Sequence, residues 1–400
     1  MNAKKRLAIW NADIIWCHAK NILTNYSVVT ADDKIIDVLP TDAAKNKYSK
    51  SIVYEFEKSI IVPGFIDCHS HFELTSLHEF YRYSNLFELM IASGQWHRNS
   101  SLDDIVKSCR VGQQKSINNG IVYSVDWVSC LFKKERYVNS KIVLPMLEII
   151  DPLGIKYSSQ KLYCDFDEYG LAPHSLYMVD MKTLSKAFAY ANKLISMHIA
   201  EDSSETLWIN KHCGSLFEHC KKESSISCIN KYYTNFFDLL SDSFCASPGV
   251  IYVHGVNLTD CDLDTIKAQK SYLCLCPESN LALTGETVDF NKIIKKHIDF
   301  LLGTDSYGAN YDIISNAQIL LSRTDCDKYF LANKILNALT KTAAKAIGLE
   351  NCLGSVEIGK NATFLIMSYN NPSKSKDVVA YNIITSGKIK KIIIDGEVIY

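Results

Sequence analysis

The sequence predicts an α/β protein whose main domain is a (β/α)8 barrel, and three observations support this prediction. Eight short apolar runs alternate with longer stretches of helical character, at 60–66, 120–125, 142–148, 169–173, 194–199, 250–253, 271–276 and 298–303. Such alternation is typical of a parallel sheet, and eight strands can close into a barrel. Polar or titratable residues follow these runs, at the strand ends where barrels carry their active sites. With 400 residues, 47% of them hydrophobic, the chain is long enough for a barrel with an accessory domain.

Both ends of the chain contribute to the predicted accessory domain. Residues 7–10, 27–30 and 35–38 have the pattern of short strands, and so have 362–367 and 390–400, with an Asp395-Gly396 turn. We therefore predict a small β-sandwich built from 1–59 together with 350–400, and a barrel at 60–349. The insertion at 208–247 contains paired aromatic residues and is predicted to cap the barrel mouth with helices.

Composition limits the kinds of partner and location. A net charge of −1 with no long basic run argues against nucleic acid and against anionic membrane surfaces. Fourteen cysteines without a tight framework predict reduced thiols and a cytoplasmic location. The basic start at Lys4, Lys5 and Arg6 is followed by an interrupted apolar stretch, which is not expected to act as a signal peptide. An apolar run of about 18 residues, as a membrane span needs, is not found.

The first barrel run ends in a histidine pair. Residues 61–73 are I-V-P-G-F-I-D-C-H-S-H-F-E, and side chains alternate along a strand, so His69 and His71 share one face. Two neutral imidazoles placed in this way can bind one Zn²⁺ or Fe²⁺. Further candidates follow later runs: His198 and Glu201 (H-I-A-E), His254 (V-H-G) and Asp305 (G-T-D-S).

These four segments resemble, in order and spacing, the metal-binding motifs of the amidohydrolase superfamily, whose members are metal-dependent hydrolases and deaminases on a (β/α)8 barrel. The resemblance implies one divalent transition metal, with Zn²⁺ favoured and Fe²⁺ as the alternative. The implied ligands are His69, His71, His198 and Asp305. Two-metal members carry a bridging lysine on the fourth strand, and residues 169–174 (Y-G-L-A-P-H) contain no lysine.

The resemblance also implies catalytic roles for three residues. The implied reaction is attack by a metal-bound hydroxide with release of ammonia. Asp305 accepts the proton of the water, and His254 holds the hydroxide or the developing oxygen. Glu201 protonates a ring nitrogen of the substrate and passes a proton to the departing ammonia.

Further stretches narrow the resemblance to deaminases of adenine nucleosides. Residues 171–177 (L-A-P-H-S-L-Y) and 276–285 (C-P-E-S-N-L-A-L-T-G) resemble segments of S-adenosylhomocysteine and methylthioadenosine deaminases. Residues 71–73 and 198–208 (H-I-A-E-D-S-S-E-T-L-W) resemble segments of aminofutalosine deaminases, which act in menaquinone biosynthesis. The implied substrate contacts are His174, Glu201, His254 and Asn280.

The predicted function is therefore hydrolytic deamination of an adenine nucleoside-like small molecule, with aminofutalosine favoured and a homodimer expected. The glutamate that binds ribose in adenosylhomocysteine deaminases has no counterpart at 93–98, where Trp96, His97 and Arg98 are an alternative pocket lining. Two other functions stay open. One is a superfamily hydrolase that cleaves a C–N or C–Cl bond of another heterocycle or a cyclic amide. The other is a non-catalytic barrel, against which the intact set of metal ligands argues.

Overall fold

The computed structural model describes residues 6–17, 22–80, 83, 85–129, 134–150, 168–189, 193–222, 231–242, 247–306, 309–370 and 373–400. The strands in these residues are β1 (Leu7–Ile15), β2 (Leu23–Thr24), β3 (Tyr26–Ala31), β4 (Lys34–Pro40), β5 (Ile52–Pro63), β6 (Phe65–Ser70), β7 (Ile121–Val128), β8 (Val143–Ile149), β9 (Gly170–Pro173), β10 (Ser196–Ile199), β11 (Ile251–His254), β12 (Tyr272–Leu275), β13 (Phe300–Leu302), β14 (Phe364–Ser368), β15 (Ile389–Ile394) and β16 (Glu397–Val398). The α-helices are α1 (Thr41–Lys47), α2 (Thr75–Phe80), α3 (Leu86–Asn99), α4 (Leu102–Asn118), α5 (Met181–Phe188), α6 (Ser203–Lys211), α7 (Ser215–Lys222), α8 (Phe236–Asp242), α9 (Asp260–Ala268), α10 (Pro277–Thr284), α11 (Phe290–Lys296), α12 (Ile313–Ser322), α13 (Lys328–Ala338), α14 (Lys341–Ala346) and α15 (Lys376–Ser386). The described residues fall into two compact units, one within 1–67, 116–123 and 313–400 and the other within 68–115 and 124–312.

In the first unit, strands from both ends of the chain form one mixed sheet. Its order is β16-β15-β14-β5-β1-β3-β4, and β2 pairs with β1. The central strand β5 runs parallel to β1 on one side and antiparallel to β14 on the other. Because β5 links the N-terminal and C-terminal strands within a single ladder, a sandwich of two facing sheets is not confirmed. The division into 1–59 with 350–400 and 60–349 stays a prediction.

One buried tryptophan organises the core on a face of this sheet. Trp10 is fully buried, its ring is stacked on Tyr54 at 4.3 Å, and it meets the edge of Phe364 at 5.5 Å. The three residues come from β1, β5 and β14, so the aromatic cluster joins strands from both ends of the chain. Ring pairs in such offset or edge-on geometry stabilise a core beyond the area that they bury. The Asp395-Gly396 turn between β15 and β16 is also present, with φ of 49° and 79°.

Eight strands, β6 to β13, form a closed ring. They make two four-stranded sheets, β6-β7-β8-β9 and β10-β11-β12-β13, and the strand pairs from β7 to β9 and from β10 to β13 are parallel. Parallel bridges Leu171–Ile195 and Ser70–Asp305 join the two sheets at both edges. Strands β9 to β13 are buried along their whole length, as expected for parallel strands covered on both faces. The predicted (β/α)8 barrel is confirmed.

The first barrel strand differs from its prediction. The run at 60–66 is divided between two strands, since residues 60–63 end β5 and β6 begins only at Phe65. Gly64 separates them, and a Cβ at this position would lie 2.3 Å from Val122. The close approach explains why glycine occupies the break.

The predicted helical insertion contains helices in its described part. Helices α6, α7 and α8 cover much of 208–247, and residues 223–230 and 243–246 lie outside the described part. The helix beside the active-site cavity is instead α3, several of whose side chains line it. Within the described ranges, no helix combines the length and the apolar character that crossing a membrane requires.

Candidate active site

The predicted metal ligands converge at one end of the barrel. His69 lies in β6 and His71 directly follows that strand, while His198 lies in β10 and Asp305 follows β13. His254 joins them from the end of β11. All five side chains are buried. Since the carboxyl ends of parallel strands meet at one face of a barrel, residues distant in sequence form a single cluster.

The spacing of this cluster fits a single cation. His69 Nε2 and His198 Nε2 lie 3.1 Å apart, and Asp305 Oδ1 lies 3.8 Å from the Nε2 atoms of both His69 and His71. Two ligands of a tetrahedral zinc ion, each about 2.0–2.1 Å from it, are about 3.3 Å apart. Burial lowers the pKa of His69 and His198 well below the ordinary value, which keeps their rings neutral. Neutral imidazole is the form that binds metals.

Local structure directs Asp305 toward the histidines. Its backbone adopts a left-handed φ of 57°, which is unfavourable for a residue other than glycine and concentrates at functional sites. Its amide donates to the carbonyl of His69 at 2.9 Å, and Ser279 Oγ donates to Oδ2 at 2.6 Å. Burial alone would raise the pKa of Asp305, but His69 and His71 hold it below its usual range. The preceding Gly303 is required because a Cβ there would lie 2.7 Å from that of His69.

A hydrogen bond defines which nitrogen of His254 carries the proton. The side-chain amide of Asn280 donates to His254 Nδ1 at 3.0 Å, so the proton of the neutral ring is on Nε2. This Nε2 lies 3.5 Å from Glu201 Oε2 and presents a donor to the site. Burial lowers the pKa of His254 to about 4. Asn280 lies behind His254 rather than in the cavity lining, and its substrate contact stays a prediction.

Glu201 lies on a loop that a second glutamate holds in place. The carboxylate of Glu205 accepts hydrogen bonds from the amides of Ala200, Glu201 and Asp202 at 3.1, 2.7 and 3.4 Å. Burial, reinforced by the charge of Asp305, raises the pKa of Glu201 well above its ordinary value. A carboxyl group that is protonated near neutral pH can donate its proton to a substrate.

A sequence profile of the amidohydrolase family matches residues 166–399, which is more than half of the 400-residue chain. The matched region contains His198, Glu201, His254 and Asp305. The chain belongs to the amidohydrolase family. The family that the sequence motifs resemble is therefore confirmed.

The proteins to which this chain is similar include several deaminases. An adenosine deaminase of Helicobacter pylori is 23% identical over 410 residues, covering 96% of this chain and 97% of the relative. The crystal structure of Helicobacter pylori aminofutalosine deaminase with methylthio-coformycin matches with a TM-score of 0.80 and 19% identity, over 98% of this chain and all of that chain. An adenosine deaminase from Xanthomonas campestris with bound zinc matches with a TM-score of 0.73 and 18% identity, over 98% and 92% of the two chains. The enzyme class predicted from the sequence, hydrolytic deaminases, is the class of these relatives.

In this amidohydrolase four members of the cluster, His71, His198, His254 and Asp305, line a cavity of about 280 Å³. The opposite lining is largely apolar, with Leu86, Leu89, Met90 and Ile91 from α3 and also Ile150 and Met178. Of the predicted alternative lining, His97 and Arg98 face the cavity and Trp96 instead donates its ring N–H to the carbonyl of Glu73 at 3.0 Å. The cavity therefore combines a polar reaction centre with an apolar wall.

His174 lines the same cavity next to the predicted metal ligands. Its ring lies 4.6 Å from the ring of His198, and its Nε2 lies 3.7 Å from Glu148 Oε1. Its Nδ1 is 3.1 Å from Ser175 Oγ. Burial, followed by the effect of His71, lowers the pKa of His174 to about 3, so the ring is neutral. The predicted substrate contact is thus placed where a bound substrate can reach it.

Two residues of the second barrel strand contribute to the site in ways that the sequence did not predict. Trp127 packs its ring 4.2 Å from the ring of His198, which restricts the orientation of that imidazole. Asp126 is turned away from the cavity, and its carboxylate accepts hydrogen bonds from the amide of Phe72 and the hydroxyl of Tyr137, at 2.8 and 2.6 Å. Asp126 therefore fixes the backbone beside His71.

A buried network around Glu73 was also not predicted. Glu73 Oε2 accepts hydrogen bonds from His97 Nε2 at 2.9 Å and from Ser129, and Oε1 lies 2.8 Å from Arg136 Nη2. Burial alone would raise the pKa of Glu73, but Arg136 and His97 hold it below its usual range. The network ties the loop after β6 to α3. Glu73 follows the histidine pair directly, but its partners come from distant segments that no local pattern connects with it.

Proposed function

We propose that the protein is a metal-dependent hydrolytic deaminase of an adenine nucleoside-like substrate. The observation that carries this proposal is a cluster of metal donors beside a buried pair that can move protons. Two overlapping triplets of possible ligands, His69-His198-His254 and His69-His71-Asp305, contain the four proposed donors His69, His71, His198 and Asp305. The proposed proton-handling pair is Glu201 and His254. Membership of the amidohydrolase family and the deaminases among its relatives support the same reaction.

One divalent cation is proposed for this site. When bound, it supplies Lewis-acid chemistry that makes a water molecule nucleophilic near neutral pH. Zn²⁺ is favoured and Fe²⁺ is the alternative, since three neutral imidazoles and one carboxylate suit both ions. The bound zinc of the Xanthomonas campestris enzyme supports the choice of Zn²⁺.

The residues around the cation divide the proton transfers of deamination among them. The oxygen of water adds to the ring carbon that bears the amino group, and the bond between that carbon and the nitrogen then breaks to release ammonia. Asp305 takes a proton from the water, and His254 Nε2–H donates to the developing oxygen. Glu201 protonates the neighbouring ring nitrogen and transfers a proton to the leaving amino group. Of the two protons of water, one leaves with ammonia and the other takes the place of the proton that Glu201 gives to the ring nitrogen.

The favoured substrate is aminofutalosine, which would give the enzyme a role in menaquinone biosynthesis. The resemblance of residues 71–73 and 198–208 to aminofutalosine deaminases supports this choice, as does the similarity to the Helicobacter pylori enzyme. The apolar side chains of α3 and Met178 offer contacts for a group attached beyond the sugar. The homodimer and the cytoplasmic location stay predictions.

A substrate panel with a metal analysis tests the proposed function. We expect about one transition-metal ion per chain and a change in ultraviolet absorbance with adenosine, methylthioadenosine or aminofutalosine as substrate. Turnover of free bases or other heterocycles without turnover of nucleosides would favour the other hydrolase reaction. Protein with neither metal nor turnover would be a non-catalytic barrel.

His174→Ala should bind metal normally but lose activity toward nucleosides. The ring is proposed to hydrogen-bond the ribose or the group on its 5′ carbon, and a lost hydrogen bond with an unpaired partner costs roughly 1–3 kcal/mol. The ratio kcat/KM for a nucleoside should therefore fall by about 10- to 100-fold. A free base lacks the sugar, so its turnover should hardly change. Equal losses for nucleoside and base would instead indicate a structural role for the histidine.

A further inference from the structure

Glu148 is a buried carboxylate that faces the cavity without a hydrogen-bond donor from the described residues. It lies in β8 and is 7% exposed, and it lines the cavity beside Ile150. His174 Nε2 lies 3.7 Å from Glu148 Oε1, which is too long for a hydrogen bond. Burial raises the pKa of Glu148 to about 7. A carboxylate in such a position is unfavourable unless donors reach it.

The contrast with Glu73 shows what Glu148 lacks. Both glutamates are buried and line the cavity, but Glu73 receives hydrogen bonds from His97 and Ser129 and an ion pair from Arg136. The donors for Glu73 come from the protein, and both of its oxygens are engaged. Glu148 has both oxygens available to a molecule that enters the cavity.

The position of Glu148 identifies the part of a substrate that it can reach. His174 lies between the metal cluster and Glu148, since its ring is 4.6 Å from the ring of His198 and its Nε2 is 3.7 Å from the Glu148 carboxylate. A nucleoside that places its base beside His198 and its sugar beside His174 would bring the sugar to Glu148. A carboxylate has two acceptor oxygens in one plane, which matches two adjacent hydroxyl donors.

We propose that Glu148 binds the vicinal 2′ and 3′ hydroxyl groups of the substrate ribose. The inference rests on the proposed nucleoside substrate and adds to it a residue that discriminates riboses from deoxyriboses. In this chain the sugar-binding carboxylate comes from the third barrel strand, which explains why residues 93–98 contain none.

Three nucleosides and three proteins test the proposal. Wild type, Glu148→Gln and the control Asp103→Asn, an exposed residue of α4, are assayed with adenosine, 2′-deoxyadenosine and 3′-deoxyadenosine. In wild type and the control, loss of either hydroxyl should lower kcat/KM by about 10- to 100-fold. In Glu148→Gln, kcat/KM for adenosine should fall at least to the level that the deoxynucleosides have in wild type, and each deoxynucleoside, which keeps one hydroxyl group, should lose less than adenosine does. Binding measurements should show the same dependence on the sugar. Inosine should bind more weakly to Glu148→Gln than to wild type, whereas 2′,3′-dideoxyinosine should bind equally well to the two proteins.

The outcomes distinguish the sugar contact of Glu148 from the proposed deaminase reaction. Equal losses for all three nucleosides in Glu148→Gln, with unchanged metal content, would overturn the sugar contact and leave the deaminase proposal intact. A metal-replete wild type that deaminates neither these nucleosides nor methylthioadenosine nor aminofutalosine would overturn both. If Glu148→Gln folds poorly, two other measurements still test the sugar contact. Glu148→Asp keeps the charge but shortens its reach, so it should lower adenosine turnover selectively. A wild type that accepts 2′- and 3′-deoxyadenosine as well as adenosine would refute the contact on its own.

Discussion

His69→Ala and His198→Ala should each purify with almost no transition metal, against about one ion per chain in the wild type. The two rings contribute the nitrogens that lie 3.1 Å apart, and either substitution removes a neutral donor from the buried cluster. Deaminase activity should fall by a factor on the order of 10³ or more, because without a cation the pKa of water stays near 15.7. Elemental analysis of the purified variants measures the first effect, and absorbance assays measure the second.

A matched control is available on the surface. His297 is an exposed histidine that ends α11 in a left-handed conformation with φ of 56°, and asparagine tolerates that conformation. His297→Asn should therefore keep its metal and its activity. If His69→Ala or His198→Ala retains one ion per chain, that histidine is not a ligand. Two ions per chain in the wild type would contradict the single-metal site.

Glu201→Gln should keep the metal and lose turnover by a factor on the order of 10² or more. The amide has nearly the same shape as the carboxyl group, but it cannot deliver a proton to the ring nitrogen or to ammonia. The loss should appear mainly in kcat, since the proton is needed during the reaction rather than for binding. Stopped assays at saturating substrate, paired with metal analysis, measure the two effects separately.

Glu218→Gln is the control for Glu201→Gln, because Glu218 is an exposed acidic residue of α7. It should leave turnover and metal content unchanged. Full activity in metal-replete Glu201→Gln would mean that another group handles the protons. Loss of the metal together with activity would instead show that Glu201 is a ligand, which would contradict the proposed ligand set of His69, His71, His198 and Asp305.

The barrel and its metal cluster were predictable because each rests on a local pattern. The apolar runs appear in the structure as barrel strands, and the His-x-His spacing directly encodes side chains on one face of β6. Strand β5 was not predicted. Its apolar end, residues 60–63, is separated from the first barrel strand by Gly64 alone, so the two strands read as one apolar run in the sequence.

The supporting residues could not be predicted in the same way. Trp127 against His198, Arg136 against Glu73, and Glu148 beside His174 are contacts between residues far apart in sequence. No periodicity or motif connects the two members of such a pair. Glu148 does lie at the end of a predicted strand, so the sequence indicated its location, but its lack of protein donors is visible only in the packed structure.

The way in which the ring of strands closes has a consequence for stability as well as for chemistry. The two four-stranded sheets are half-barrels that meet at the bridges Leu171–Ile195 and Ser70–Asp305. The proposed ligands are divided between them: β6 leads to His69 and His71, and the other half-barrel carries His198 and Asp305. A cation bound by all four would act as a cross-link across the seam, and binding to the native state alone would add to its stability. Selection for the reaction would then also preserve the closure of the barrel.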